Sequence, residues 1–169
     1  MNIRKDCNLN DRISIHLLQS QEFEFVSKIN LKNYIMSIKP RLLHSVGATE
    51  QHFYAGDYIF REDGTPQFYY QILEGEVKLN NYSNEGKEFI QNILPAGNCF
   101  GESMLFLEKP YPVNAVALSN CTVLKICREK FLTLLDIYPH IALDICNTLS
   151  EKTYNKFILM RKISSKNAI

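Results

Sequence analysis

The 169-residue sequence contains no uninterrupted apolar run of about 18 residues, which is the minimum length of a membrane-spanning helix. Its N-terminal region also lacks the basic segment followed by an apolar segment that marks a secretory signal. These two absences predict a cytoplasmic protein that has no membrane partner.

The five cysteines are scattered and form no CxxC pair, so we expect reduced thiols, most of which are packing residues. The formal net charge is only +1, whereas nucleic-acid-binding domains usually carry a clear basic excess. Any contact with DNA therefore requires a segment outside this sequence. The one local imbalance lies at 150–166 and is interpreted as a solvated helix face. Its basic residues are Lys152, Lys156, Arg161, Lys162 and Lys166.

Patterns that carry catalysis are missing as well. The four histidines never show the one-residue separation that a cupin metal site requires. The sequence also has no glycine-flanked serine of the hydrolase type and no P-loop. We therefore expect a protein that is not an enzyme, holds no metal and requires no cofactor.

Short β-like runs fill the middle of the chain and are separated by turns, most of which contain glycine. This texture predicts a mainly β fold with flanking helices, in which the strands form an antiparallel jelly roll, or double-stranded β-helix. The predicted strands are 52–54, 58–61, 68–73, 77–82, 89–94, 113–118 and 122–126.

Helical segments are expected on both sides of the roll. Residues 1–48 are interpreted as two or three short helices, one of which Pro40 ends. The roll occupies 49–127. Residues 128–169 are expected to hold a short helix to Ile137 and a long helix that begins at Pro139 and runs to about Ser164.

The long helix carries a heptad-like pattern in which most positions are apolar. This spacing favours a two-helix interface and hence a homodimer, while packing of the same helix on its own roll is the alternative. The residues assigned to the seam are Ala142, Cys146, Leu149, Thr153 and Met160, with Lys156 at the heptad position between the last two.

Three segments, in this order, resemble the cyclic-nucleotide-binding domain family and specifically bacterial Crp/Fnr transcription regulators. They are the strand-turn-strand at 56–64 (GDYIFREDG), the hairpin at 70–79 (YQILEGEVKL) and the segment 100–106 (FGESMLF). The last is similar to the opening of the family's phosphate-binding cassette. The resemblance covers residues 48–165 and implies a cyclic-nucleotide-binding-like roll followed by a dimerisation helix.

In the family, a short helix after the Gly-Glu pair presents its N–H groups to a cyclic phosphate, and the glutamate binds the ribose hydroxyl. The resemblance therefore assigns Gly101, Glu102 and Ser103 to the ligand site. A later arginine neutralises the phosphate in the family, but that position is Val113 here and is followed by Asn114 and Ala115. Glu102 is thus expected to face a pocket without positive charge, unless the exposed loop residue Lys109 swings in.

The long helix departs from the family at a second place. The pair that reads adenine in the cyclic-AMP-responsive members falls on Lys156 and Phe157, which do not copy its hydrogen bonds. The sequence thus predicts a pocket that has diverged from cyclic AMP. Three alternatives stay open: ordinary cyclic nucleotide binding, an unknown small effector, or a pocket that needs no effector.

The expected function is therefore effector sensing and dimerisation within a Crp/Fnr-type transcription regulator. In such regulators, DNA is bound by a C-terminal helix-turn-helix, and this sequence stops where that domain is expected to begin. The alternative is a stand-alone module of the same type that acts on a protein partner.

Overall fold

The computed structural model describes residues 37–166, apart from the side chains at 159 and at 162–166. The first 36 residues of the predicted N-terminal helical segment lie outside this range. The described part forms eight strands: β1 (Thr49–Phe53), β2 (Tyr58–Phe60), β3 (Phe68–Glu74), β4 (Glu76–Tyr82), β5 (Glu88–Pro95), β6 (Cys99–Phe100), β7 (Asn114–Ala117) and β8 (Cys121–Cys127). It also forms four helices: α1 (Pro40–Ser45), α2 (Glu102–Leu107), α3 (Arg128–Ile137) and α4 (Pro139–Lys166).

The strands form two four-stranded sheets, and every strand pairing in them is antiparallel. The first sheet has the order β1-β8-β3-β6, and the second has the order β2-β7-β4-β5. The predicted antiparallel roll with flanking helices is confirmed. We call the segment 101–115, which holds the ligand positions assigned from the sequence, the cassette. It crosses between the sheets, since β6 belongs to the first sheet and β7 to the second.

The first sheet is buried on both faces, which explains why β8 is apolar at neighbouring positions. Val123 belongs to the apolar cluster between the sheets, together with Ile72 and Phe100. The adjacent Leu124 points the other way and packs with the helices. Side chains alternate along a strand, so burial of successive residues requires cover on both sides.

The helices pack on the face of the first sheet that points away from the second sheet. Phe131 and Leu134 of α3 and Ile141 and Ile145 of α4 are buried against the outer face of the first sheet. The ring of Phe131 stacks on the ring of Tyr69 at a centroid distance of 4.5 Å. The first half of the long helix is therefore fixed to the roll by apolar packing.

Two details of the sequence interpretation were wrong. Pro40 begins α1 instead of ending a helix, because the first turn of a helix does not use its N–H groups. Strand β6 was not predicted, since two residues are too few to show alternation.

The described helices include none that is both long enough and apolar enough to cross a membrane.

Candidate functional site at the cassette

The cassette begins at Gly101, between β6 and the six-residue helix α2. Gly101 has a φ of 78°, a left-handed backbone conformation that residues with a Cβ atom rarely adopt. A Cβ atom at this position would lie 3.4 Å from ring atoms of both Phe60 and Tyr111. The backbone at the start of the cassette therefore rests directly on aromatic rings, and glycine permits both the turn and this approach.

These rings belong to an aromatic cluster formed by Phe60, Phe68, Tyr70, Phe100 and Tyr111. The rings of Phe60 and Tyr111 are stacked, with centroids 3.7 Å apart and planes 7° apart. Tyr70 stacks on Phe100 at 5.2 Å. Burial raises the pKa of Tyr70 to about 12 and also raises the pKa of Tyr111, so both hydroxyls stay neutral. The cluster thus fills the interior beneath the cassette without offering a charge.

The later predicted positions of the cassette are also buried. Val113 is 9% exposed, and Ala115 is fully buried. The side chain of Asn114 is occupied, because its Oδ1 accepts a hydrogen bond from the N–H of Glu62 and its Nδ2 donates to the carbonyl oxygen of Asn80. Asn114 therefore ties neighbouring strands together, and the position of the family's arginine is apolar.

Glu102 meets a cation that the sequence interpretation did not place there. The glutamate is 3% exposed, and its Oε1 lies 2.9 Å from the Nζ of Lys152 on α4. The expectation that Glu102 faces no positive charge was wrong. Treating Lys152 as part of a solvated face was wrong for the same reason. Lys109, the other candidate cation, is exposed and forms no ion pair within the described part of the chain.

The ammonium group of Lys152 remains charged in this environment. Burial acts to lower the pKa of Lys152, but attraction to Glu102, the electrostatic effect of Cys99 and the hydrogen bond to Glu102 together outweigh it and hold that pKa above its usual value. The pair therefore consists of two ions, one nearly buried and one partly exposed. A carboxylate with so little access to water depends strongly on its counter-ion.

The other end of α2 is held by a second cation. The Nε of Arg128, the first residue of α3, donates a hydrogen bond to the carbonyl oxygen of Leu105 at 3.0 Å. Its guanidinium group also pairs with Glu108, which has a positive φ and ends α2. Such contacts satisfy carbonyl groups that a helix C-terminus leaves free. The cassette helix is thus held at both ends by cations from the C-terminal helices.

The remaining predicted site residues lie apart from this arrangement. Ser103 is half-buried in the first turn of α2. Lys156 is exposed, and Phe157 is 65% exposed, so neither contacts the cassette of its own chain. The residue of α4 that meets the cassette is Lys152. Ile141, Ile145 and Leu149 recur every four residues on the side of α4 that faces the roll. Lys152 follows on the same side, so this spacing could have indicated that Lys152 faces the roll.

The seam assigned to the long helix divides between two faces. Ala142 and Leu149 pack against the apolar cluster of their own chain, whereas Cys146, Thr153 and Met160 are exposed. A row of exposed residues runs along α4 at steps of three and four residues. It shares Cys146, Thr153 and Met160 with the predicted seam, and its other members each lie one residue after a seam position. We call it the exposed stripe, and its members are Leu143, Cys146, Ser150, Thr153, Phe157 and Met160.

The part of the chain that the structure describes contains no group of three or more histidine, cysteine or acidic residues arranged to hold a metal ion. The cassette therefore has an ion pair, an aromatic floor and a short helix as its chemical content. Its two carboxylates, Glu102 and Glu108, are both paired with cations of the C-terminal helices.

The cyclic nucleotide-binding domain model matches residues 50–138. The chain is 30% identical over 114 residues to the cAMP-activated global transcriptional regulator CRP of Haemophilus influenzae, which covers 67% of this chain and 48% of that protein. It is 24% identical over 102 residues to the potassium channel SKOR of Arabidopsis thaliana, covering 60% of this chain and 12% of the channel. The chain thus spans half or less of the length of these relatives.

Among solved structures, the catabolite activator protein of Thermus thermophilus superposes with a TM-score of 0.67 at 23% identity. The match covers 75% of this chain and 61% of that structure. This likeness supports the fold described above, including the helices that follow the roll.

The ion pair between Lys152 and Glu102 predicts a specific loss of stability. In Lys152→Met, Glu102 keeps its buried carboxylate without a counter-ion, and breaking a fully buried pair costs about 3–5 kcal/mol. Because Lys152 is partly exposed, we expect a smaller loss of about 2 kcal/mol in the free energy of unfolding measured in urea. Lys156→Met removes an exposed lysine from the same helix and is the control. Equal stability of the two variants would contradict the assignment.

Proposed function

Because the chain belongs to the cyclic nucleotide-binding domain family, we propose that it is the sensor and dimerisation module of a Crp/Fnr-type transcription regulator whose cassette no longer binds cyclic AMP. The observation that carries the proposal is the ion pair between Glu102 and Lys152. The family's ligand-binding carboxylate is here engaged within the chain. The proposed role is regulatory and not catalytic.

In the part of the chain that the structure describes, the phosphate of a cyclic nucleotide would find no buried counter-charge free at the cassette, because the unpaired Lys109 is exposed. Val113 offers none, and Lys152 would have to leave Glu102 in order to reach a phosphate. Burying an ion without a partner costs several kcal/mol, and separating Lys152 from Glu102 would leave the glutamate in that state. If Lys152 moved to the phosphate, Glu102 would be left as an unpaired buried anion, and if it stayed with Glu102, the phosphate would be.

The ribose of a cyclic nucleotide would face a similar difficulty. Its hydroxyl would have to compete with an ammonium group for Glu102, and charge-assisted hydrogen bonds are roughly twice as strong as neutral ones. The stacked rings of Phe60 and Tyr111 pack against Gly101 and add a steric obstacle. These contacts support a cassette that is complete without a nucleotide.

We also propose that two copies pair through the exposed stripe of α4. Leu143, Phe157 and Met160 are each about two-thirds exposed in the single chain. Their repeat of three and four residues is the spacing that buries a seam between two helices. Ser150 and Thr153 are small enough to lie within such a seam.

A module that acts on a protein partner is the second candidate. The similarity to a potassium channel shows that related domains occur in proteins other than transcription regulators. The coding sequence after residue 169 distinguishes the candidates, because a following helix-turn-helix supports the regulator.

Cyclic nucleotide binding can be tested by calorimetric titration of the 169-residue chain. We expect no binding of cyclic AMP or cyclic GMP tighter than about 1 mM, which corresponds to about −4 kcal/mol. The Haemophilus influenzae CRP, titrated with cyclic AMP under the same conditions, is the positive control. Micromolar binding of either nucleotide to this chain would contradict the proposal.

Pairing through the exposed stripe can be tested by light scattering at tens of micromolar chain. We expect the mass of a dimer for the unmodified chain and the mass of a monomer for Phe157→Lys, because a lysine in the seam would be buried without a partner. Glu151→Lys also adds positive charge to α4 but lies off the stripe, and it should remain dimeric. A monomeric unmodified chain would show that the stripe does not pair two copies.

A further inference from the structure

A cavity of about 400 Å³ opens at the edge of the first sheet farthest from the cassette. The order β1-β8-β3-β6 places β1, which lines this cavity, and β6, which leads into the cassette, at opposite edges. The cavity volume lies within the range of about 300–1,000 Å³ typical of small-molecule sites. We call it the β1 cleft; it shares the ring of Phe68 with the aromatic cluster beneath the cassette, and its charged residues belong to other elements.

Lys125 of β8 brings a positive charge into the β1 cleft from the strand face that points toward the other sheet. Side chains alternate along a strand, so Lys125 shares the face of Cys121 and Val123, which belong to the apolar cluster between the sheets. Its Nζ lies 3.9 Å from the centroid of the Phe68 ring. Within the described part of the chain, no carboxylate forms an ion pair with it.

Lys130 brings a second charge from the first turn of α3. Its side chain lies over Gly47, where a Cβ atom would be 2.6 Å from the Nζ of Lys130. Lys130 also lines the cleft without an acidic partner in the described residues. The one carboxylate at the cleft, that of Glu50, lies 3.5 Å from the Nε2 of His44.

We propose that the β1 cleft binds a small organic phosphate monoester. Lys125 and Lys130 both line the cleft, so the double negative charge of such a ligand can be attracted to both ammonium groups. Thr49 and Gln51 line the same cleft and can supply hydrogen bonds. The ring of Phe68, one face of which is covered by the Lys125 ammonium group, adds an apolar part of the wall for an organic group. The proposal stands on its own residues and does not depend on the cassette.

A ligand in the β1 cleft would join the roll to the C-terminal helices. Lys125 belongs to a central strand, whereas Lys130 belongs to α3, which leads into α4. A dianion that contacts both lysines adds an attractive contact between these elements. The cleft thus provides an effector site that can influence the long helix without using the cassette.

Isothermal titration calorimetry of the complete chain with phenyl phosphate tests this assignment. We expect binding that weakens at least about tenfold in Lys125→Met and in Lys130→Met, since each variant removes a charge-assisted hydrogen bond to the phosphate. Lys109→Met removes an exposed lysine of the cassette and should leave the affinity unchanged. Circular dichroism confirms that each variant is folded.

Two further probes define the ligand. Inorganic phosphate has the charge without the ring, and benzoate has the ring with a single charge, so both should bind more weakly than phenyl phosphate. No binding of phenyl phosphate, or binding that both cleft variants retain, would overturn the site. Equal affinity for inorganic phosphate would overturn the organic part of the assignment. Cyclic AMP binding that persists in the Lys125→Met variant would contradict the proposed function instead and leave the β1 cleft intact.

Discussion

The ion pair between Glu102 and Lys152 determines how the cassette and the long helix are arranged. Glu102 is almost completely buried, and the energetic cost of burying its charge makes contact with a cation necessary. Lys152 satisfies this need from α4, fifty residues farther along the chain. The start of the cassette helix and the middle of the long helix are therefore coupled by an interaction that belongs to the protein itself.

Other features of the fold are consistent with this constraint. Arg128 holds the end of the cassette helix, while Ile141 and Ile145 fix the first half of α4 on the roll. Once these contacts orient α4, the side opposite its packed face presents Leu143 and Phe157 to the outside. The proposed dimer stripe is thus a consequence of how the helix meets its own roll.

The sequence was sufficient to predict the roll, because glycine turns and short alternating runs report local structure directly. It also indicated the segment 100–106 as the opening of a cassette, since that segment is continuous in the chain. It could not locate the partner of Glu102, because Lys152 is distant in sequence and resembles an ordinary surface lysine. The sequence interpretation also assigned Ala142 and Leu149 to a dimer seam, although both pack on their own domain. Heptad spacing alone does not tell which side of a helix packs on its own domain.

In the proposed function, the cassette is ordered by its internal ion pair and not by a nucleotide. Amide hydrogen exchange of α2 measures this order directly, since exchange reports local opening. We expect protected α2 amides in the free protein, no change when cyclic AMP is added, and faster exchange in Lys152→Met. Unprotected amides that become protected only on addition of cyclic AMP would contradict the account.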